Sequence, residues 1–180
     1  MYGMVNRSME DMVVGQHGEE MWERIKARAG VDVDVFISND GYPDSITYDL
    51  VGAASVELGV AADVILVAFG EHWVMHTALG NYGDMMRAGG RTLREFLLNL
   101  PMFHTRVSLM FPDLKPPIFE CSHQQERSLH LHYRSARAGL DHFVVGLVRG
   151  LGQMFQETVT IDVVANRSRG DDHDVFLVRW

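Results

Sequence analysis

Along the first 111 residues, apolar side chains recur three and four positions apart, the spacing that gathers them on one face of a helix. Val5, Met9, Met12 and Val13 make one such face, Gly15 breaks it, and Met21, Trp22 and Ile25 start a second that ends near Gly30. Val31 to Pro43 reads as a loop, alternating Val and Asp before the turn formers Ser-Asn-Asp-Gly-Tyr-Pro. Asp44 or Ser45 caps a helix that Leu50, Val51, Ala54, Val56 and Leu58 carry to Gly59. Another helix, opened by Asp63, is expected from about Ala62 to Leu79, with Gly80-Asn-Tyr-Gly83 ending it. Thr92 caps a short helix through Leu98, and Pro101, which suits only a first helical turn, places the start or a kink of the next helix at Asn99.

Phe111 to Pro117 holds three prolines and cannot be helical. Ile118 to His123 and Ser128 to Arg134 then alternate like strands around a turn at Gln124 to Arg127. Helical spacing returns from Ala138 to Phe155, and Val159 to Val164 and Val175 to Val178 are two last strands. The expected fold is α+β: a helical N-terminal subdomain, then a four-stranded antiparallel sheet with one long helix.

A chain of 180 residues with 47% hydrophobic and 22% charged residues suits one soluble domain. No apolar run approaches the roughly 20 residues of a membrane span, and the N-terminus lacks a secretory pattern, so a cytoplasmic location with no membrane contact is expected. A net charge of -8 without a basic run argues against nucleic acid. The single cysteine, Cys121, forms no intrachain disulfide and reads as a small apolar strand residue.

Two features carry candidate chemistry. Leu100, Phe103, His104, Val107 and Phe111 share a helical face, which makes His104 either a core histidine bonded to a carbonyl or an imidazole offered to a metal or haem iron. On the second strand Leu129, Leu131, Tyr133, Ser135 and Arg137 share a face, ending in a phenol, a hydroxyl and a guanidinium spread over roughly 13 Å. That row either emerges into solvent or holds two carboxylates. With His104 it suggests a porphyrin, apolar except at its iron and two propionates. His72 and His76, four apart, read first as a surface or partly buried pair and second as metal ligands.

Tyr133-Arg-Ser-Ala-Arg137 matches the Tyr-x-Ser-x-Arg motif of the H-NOX family, haem–nitric oxide/oxygen binding domains related to the sensor domain of soluble guanylate cyclase. Met1-Tyr-Gly-Met-Val-Asn, Phe69-Gly-Glu-His-Trp73, the His104 helix, Pro116-Pro117, Phe119-Glu-Cys121 and Val145-Gly146-Leu147 resemble H-NOX segments in family order, over essentially the whole chain. The resemblance implies a haem between a helical distal subdomain, residues 1–62, and a proximal subdomain with the sheet, residues 63–180. It gives His104 the place of the proximal iron ligand and Tyr133, Ser135 and Arg137 that of the propionate clamp. Pro117 takes the place of the proline that leans on the macrocycle, and Met1, Val5, Met9, Trp73, Phe143 and Leu147 fall at pocket-wall positions. Without a Cys-x-x-Cys-His sequence the haem is b-type rather than covalently attached.

Oxygen-binding relatives place a tyrosine over the iron, and here Phe143 falls at that position. Phe donates no hydrogen bond, so NO, with CO, is favoured over dioxygen. A one-residue slip would put His142 there, and the Trp73 indole is another possible donor. The implied function is a gas sensor, not an enzyme, in which NO releases His104 and a separate partner, a histidine kinase or a cyclic-di-GMP enzyme, reads the change. An O2-binding member, a haem peroxidase using His72, His76 or His142 as acid–base group, and a haem-free scaffold are the alternatives.

Overall fold

The computed structural model describes residues 1–111 and 114–180, so the part of the proline-rich reading that falls on Pro112 and Asp113 lies outside the described residues. The apolar stripes of the N-terminal part become α1 (Gly3–His17), α2 (Glu19–Ala29), α3 (Asp44–Leu58) and α4 (Ala62–His72). Gly15 does not break α1, since glycine inside a helix costs only about 1 kcal/mol. The break falls at Gly18, whose φ of 84° suits a residue without Cβ.

Beyond His72 the chain does not stop at the Gly80 to Gly83 cluster. A π-helical turn (Trp73–Ala78) leads directly into α5 (Leu79–Ala88), bent where Tyr82 takes φ -133° and ψ 28°. The helix is bent within the glycine cluster, at Tyr82, and does not end there.

The short helix and the His104 helix are likewise one element, α6 (Leu93–Met110), capped by Thr92, whose Oγ1 accepts from Glu95 N at 3.2 Å. Asn99 is no cap; its amide donates to Gly89 O at 3.0 Å. Pro101 sits in mid-helix, where its ring removes the N–H that would reach the Leu97 carbonyl. The Cys121 thiol fills that vacancy, with Sγ 3.5 Å from Leu97 O. Burial pushes the thiol pKa up to about 11, so it stays a protonated donor.

After α6 come β1 (Ile118–Ser122), β2 (Ser128–Arg134), α7 (Asp141–Met154), β3 (Thr160–Ala165) and β4 (Asp174–Arg179). The four strands form one antiparallel sheet in the order β1-β2-β4-β3. The strand alternation holds: Leu129, Leu131 and Tyr133 are buried, with Leu131 opposite Phe176. β2 ends at Arg134, so Ser135 and Arg137 follow the strand rather than continue it.

Two apolar cores result. Met9, Trp22, Ile25, Phe36, Leu50 and Phe69 fill the first, among α1 to α4 and the loop after α2. Phe96, Leu97, Leu131, Val148 and Phe176 fill the second, between α6, α7 and the sheet. α4 and α7 join them, crossing at Gly70 and Gly146; a Cβ on Gly146 would stand 2.1 Å from Val67 O.

Candidate functional site

Between the two cores lies a cavity of about 280 Å3, near the lower end of the size range of cofactor pockets. α6 supplies Leu100, Phe103, His104 and Val107 on one side; Val5 of α1, Trp73 of the π-helical turn, and Phe143 and Leu147 of α7 line it as well. Met1, Pro117, Tyr133, Ser135 and Arg137 also reach it, so residues spread across the whole chain converge here. Met9 does not: it is fully buried in the first core, outside the cavity lining, because one turn further along α1 the same face packs into the cluster formed by α1 to α4.

His104 is placed by the helix that carries it. Its Nδ1 lies 3.0 Å from Leu100 O, one turn back, where the carbonyl can only accept, so Nδ1 holds the proton and Nε2 the lone pair. Phe119 stacks on the ring at 5.3 Å and Phe103 meets it edge-on at 5.8 Å. Burial holds the pKa below the usual histidine value against the pull of the Leu100 bond, so the ring is neutral at pH 7. A neutral imidazole, fixed in tautomer and free at Nε2 among the described residues, is the form that ligates a metal. Both readings of His104, carbonyl-bonded and ligand-ready, describe the same geometry.

At the other end the polar row is more occupied than its sequence suggests. Arg137 Nε donates to Asp44 Oδ2 at 2.8 Å, Nη2 to Oδ1 at 3.5 Å, and Nη1 to Lys115 O at 3.0 Å. Asp44 also accepts from the Met1 ammonium at 2.6 Å. Burial raises the Asp44 pKa, but the bonds from the ammonium and Arg137 outweigh it and leave it below the ordinary carboxylate value. Ser135 Oγ accepts from Arg137 N at 3.0 Å and its carbonyl from Arg167 Nη1 at 2.6 Å. Burial pushes the Tyr133 phenol pKa up, so it remains a donor. Asp44, read only as a helix cap, and Arg167 are the members that sequence reasoning missed. Asp44 lies 93 positions from Arg137, so no local pattern pairs them.

Asp44→Asn is expected to cost about 1 kcal/mol at pH 7, a figure kept low because the Asp44 side chain is 40% exposed. Because the folded pKa is depressed, the contribution is complete above about 3.8 and fades as pH falls through the lower folded value. Urea midpoints of parent and variant should differ at pH 7 and converge only as the pH falls past 3.8 and through the lower folded value. A constant gap across that range would mean that the carboxylate charge is not what matters.

Phe143 and His142, the two candidates one residue apart, differ in their relation to the cavity. Phe143 faces the cavity and packs on Phe69 at 4.9 Å, whereas His142 lies outside it, 3.4 Å from Asp141 and 3.7 Å from Asp63. His72 and His76 stack at 4.5 Å away from the lining. Among the described residues His104 is the one histidine that lines the cavity, and the Trp73 indole N–H has no protein partner. One neutral imidazole, apolar walls and a polar row at one end form a donor set that fits haem.

Comparison with known proteins agrees with that donor set. The family described as Haem-NO-binding matches residues 2–163. Soluble guanylate cyclase gcy-31 of Caenorhabditis elegans is 30% identical over 165 residues, 91% of this chain and 24% of that protein. Soluble guanylate cyclase 89Db of Drosophila melanogaster is 24% identical over 155 residues, 86% of this chain and 23% of that protein. The chain thus spans about a quarter of the length of these relatives. Among solved structures, an H-NOX protein from S. oneidensis in the Fe(II)NO state superposes with a TM-score of 0.90 at 22% identity, over 99% of this chain and 98% of that one. The unliganded Fe(II) H-NOX protein from K. algicida gives 0.87 at 23% identity, over 99% and 96%. At these identities the likeness establishes the fold.

Proposed function

Because the chain belongs to the Haem-NO-binding, or H-NOX, family of gas-sensing haem domains, we propose that it is a nitric oxide sensor holding a b-type haem between its two cores. The observation that carries this reading is the His104 imidazole, fixed by Leu100 O and presenting its Nε2 lone pair in an apolar cavity. Bound haem supplies a ferrous iron that takes diatomic ligands such as NO and CO.

In this reading His104 holds the iron, and Tyr133, Ser135 and Arg137 orient the propionates from the polar end. Pro117, Met1, Val5, Trp73, Phe143 and Leu147 enclose the ring and exclude water. Phe143 offers no hydrogen bond to a ligand that gathers negative charge, which favours NO and CO over dioxygen. His104 would tie the iron to α6, so whether that tie is made is the variable that the fold could transmit. The recipient is a separate signalling enzyme, of the histidine kinase or cyclic-di-GMP class that the family resemblance implies. A peroxidase would need an acid–base group over the iron, and His72, His76 and His142 all stand outside the cavity lining.

Absorption spectra of the reduced protein test the reading. A Soret band that shifts with NO and CO and stays unchanged in air is the expected result. A colourless protein after expression with ample haem sinks the haem assignment, and a stable complex in air sinks the ligand choice.

A further inference from the structure

The side of β2 turned away from the cavity carries His130, His132 and Arg134, none of which the haem reading uses. His132 is engaged at both ring nitrogens. Its Nε2 lies 2.7 Å from Ser122 Oγ on β1, and its Nδ1 faces His173 Nε2 at 2.8 Å. His173, just before β4, is anchored in turn by Nδ1, 2.9 Å from Asp172 Oδ2, and its side chain is 15% exposed. Both far nitrogens therefore rest on oxygen, as they do in histidines that ligate metals, and the two near nitrogens converge.

We propose that His132 and His173 form a second ligand site, for a divalent transition ion of the Zn2+, Ni2+ or Cu2+ class, on the outer face of the sheet. Two imidazoles are the preformed part, since no three His, Cys, Asp or Glu side chains among the described residues already stand around one point. Water fills the remaining positions, and Glu120, the cross-strand partner of His132, is the carboxylate nearest in register. Imidazole ligands suit these ions, whereas Mg2+ and Ca2+ prefer oxygen.

Proton accounting allows the exchange. Without metal, the Ser122 hydroxyl donates to His132 Nε2, and His132 Nδ1–H donates to His173 Nε2. When the ion stands between the rings, His132 carries its proton on Nε2 and donates it to Ser122 Oγ. The Ser122 hydroxyl then turns to His123 Nδ1, 2.9 Å away. The His132 proton changes nitrogen and none is lost. Two nitrogens on one tetrahedral ion with bonds of about 2.0–2.1 Å lie roughly 3.3 Å apart, so the rings need to separate by about half an ångström and to turn until both lone pairs meet at the ion. A bound ion would tie β2 to the connection that also delivers Arg167 to the Ser135 carbonyl.

The full chain, cleared of metal with a chelator, is titrated with ZnCl2 by calorimetry. One ion per chain is expected, with affinity reduced about tenfold or more in His132→Gln and in His173→Gln. Asp172→Asn, which loosens the anchor of His173, should weaken binding by about tenfold or more. His72→Gln/His76→Gln should bind like the parent. On the parent chain itself, added Zn2+ should shift the ring proton resonances of His132 and His173, a readout independent of how any variant folds. No binding at millimolar ZnCl2, binding undiminished in both His132→Gln and His173→Gln, or resonances that stay in place overturns the proposal.

Discussion

Changing His104 to glycine is expected to lower haem occupancy of the purified protein at least about tenfold, or about 1.4 kcal/mol of binding, with added imidazole restoring it. The glycine removes the one cavity-lining histidine among the described residues, and nothing nearby replaces the lone pair: Phe103 and Phe119, its ring neighbours, have none to offer. On the proposed reading, Tyr133, Ser135 and Arg137 would then be left to hold only the far end. Protonation imitates the loss. Because burial lowers the pKa of His104, the free ring is neutral at pH 7 and loses its lone pair only in acid, below the ordinary histidine value. Absorption spectra of variant and parent, recorded at equal haem supply with and without imidazole, decide the matter. An unchanged spectrum in the variant without imidazole would falsify the proximal role of this residue.

Gly146→Ala is the second large effect. Alanine gains about 1 kcal/mol over glycine in a helix, yet its Cβ would stand 2.1 Å from Val67 O and 2.9 Å from Gly70 Cα, both backbone atoms that cannot swing away. α7 must move off α4, and overpacking of this kind costs typically 1–3 kcal/mol, occasionally more. The clash wins. With a backbone atom only 2.1 Å away the cost falls at the upper end of that range, and the net loss of about 2 kcal/mol lowers the melting temperature of a domain this size by roughly 4–8 °C. Ala at Gly15, which meets nothing within 4 Å, should be neutral or stabilising and serves as the control. Equal melting temperatures for Gly146→Ala and parent would show that the α4–α7 contact tolerates a wider spacing.

Much of this architecture could be read from the chain because its signals are local. The three-and-four spacing placed α1 to α4 and α7, period-two alternation placed the four strands, and the apolar stripe on α6 singled out His104. The misread parts depend on distant partners. Pro101 reads as a helix start or a kink until Cys121 arrives from β1 to satisfy the Leu97 carbonyl. Gly80 and Gly83 read as a stop because the π-helical turn, which brings Trp73 to the cavity, has no sequence period of its own. Arg137 reads as a free fork because its counter-ion Asp44 lies on α3. Met9 shares a helical face with Val5 but sits one turn deeper, among α1 to α4.

The proline inside α6 divides that helix mechanically. Leu93, Phe96, Leu97 and Leu100 are buried on one side of it, while no residue from Pro101 to Met110 is buried to that degree. Pro101 is thus a fulcrum with one arm clamped. At about 1.5 Å of rise per residue, His104 lies about 4.5 Å along the loose arm and Met110 about 13.5 Å. A tilt that carries the imidazole about 1 Å therefore sweeps the outer tip, where Leu109 and Met110 face solvent, through about 3 Å. On the proposed function, such a lever would turn a sub-bond-length displacement of the imidazole into one about threefold larger at the exposed tip.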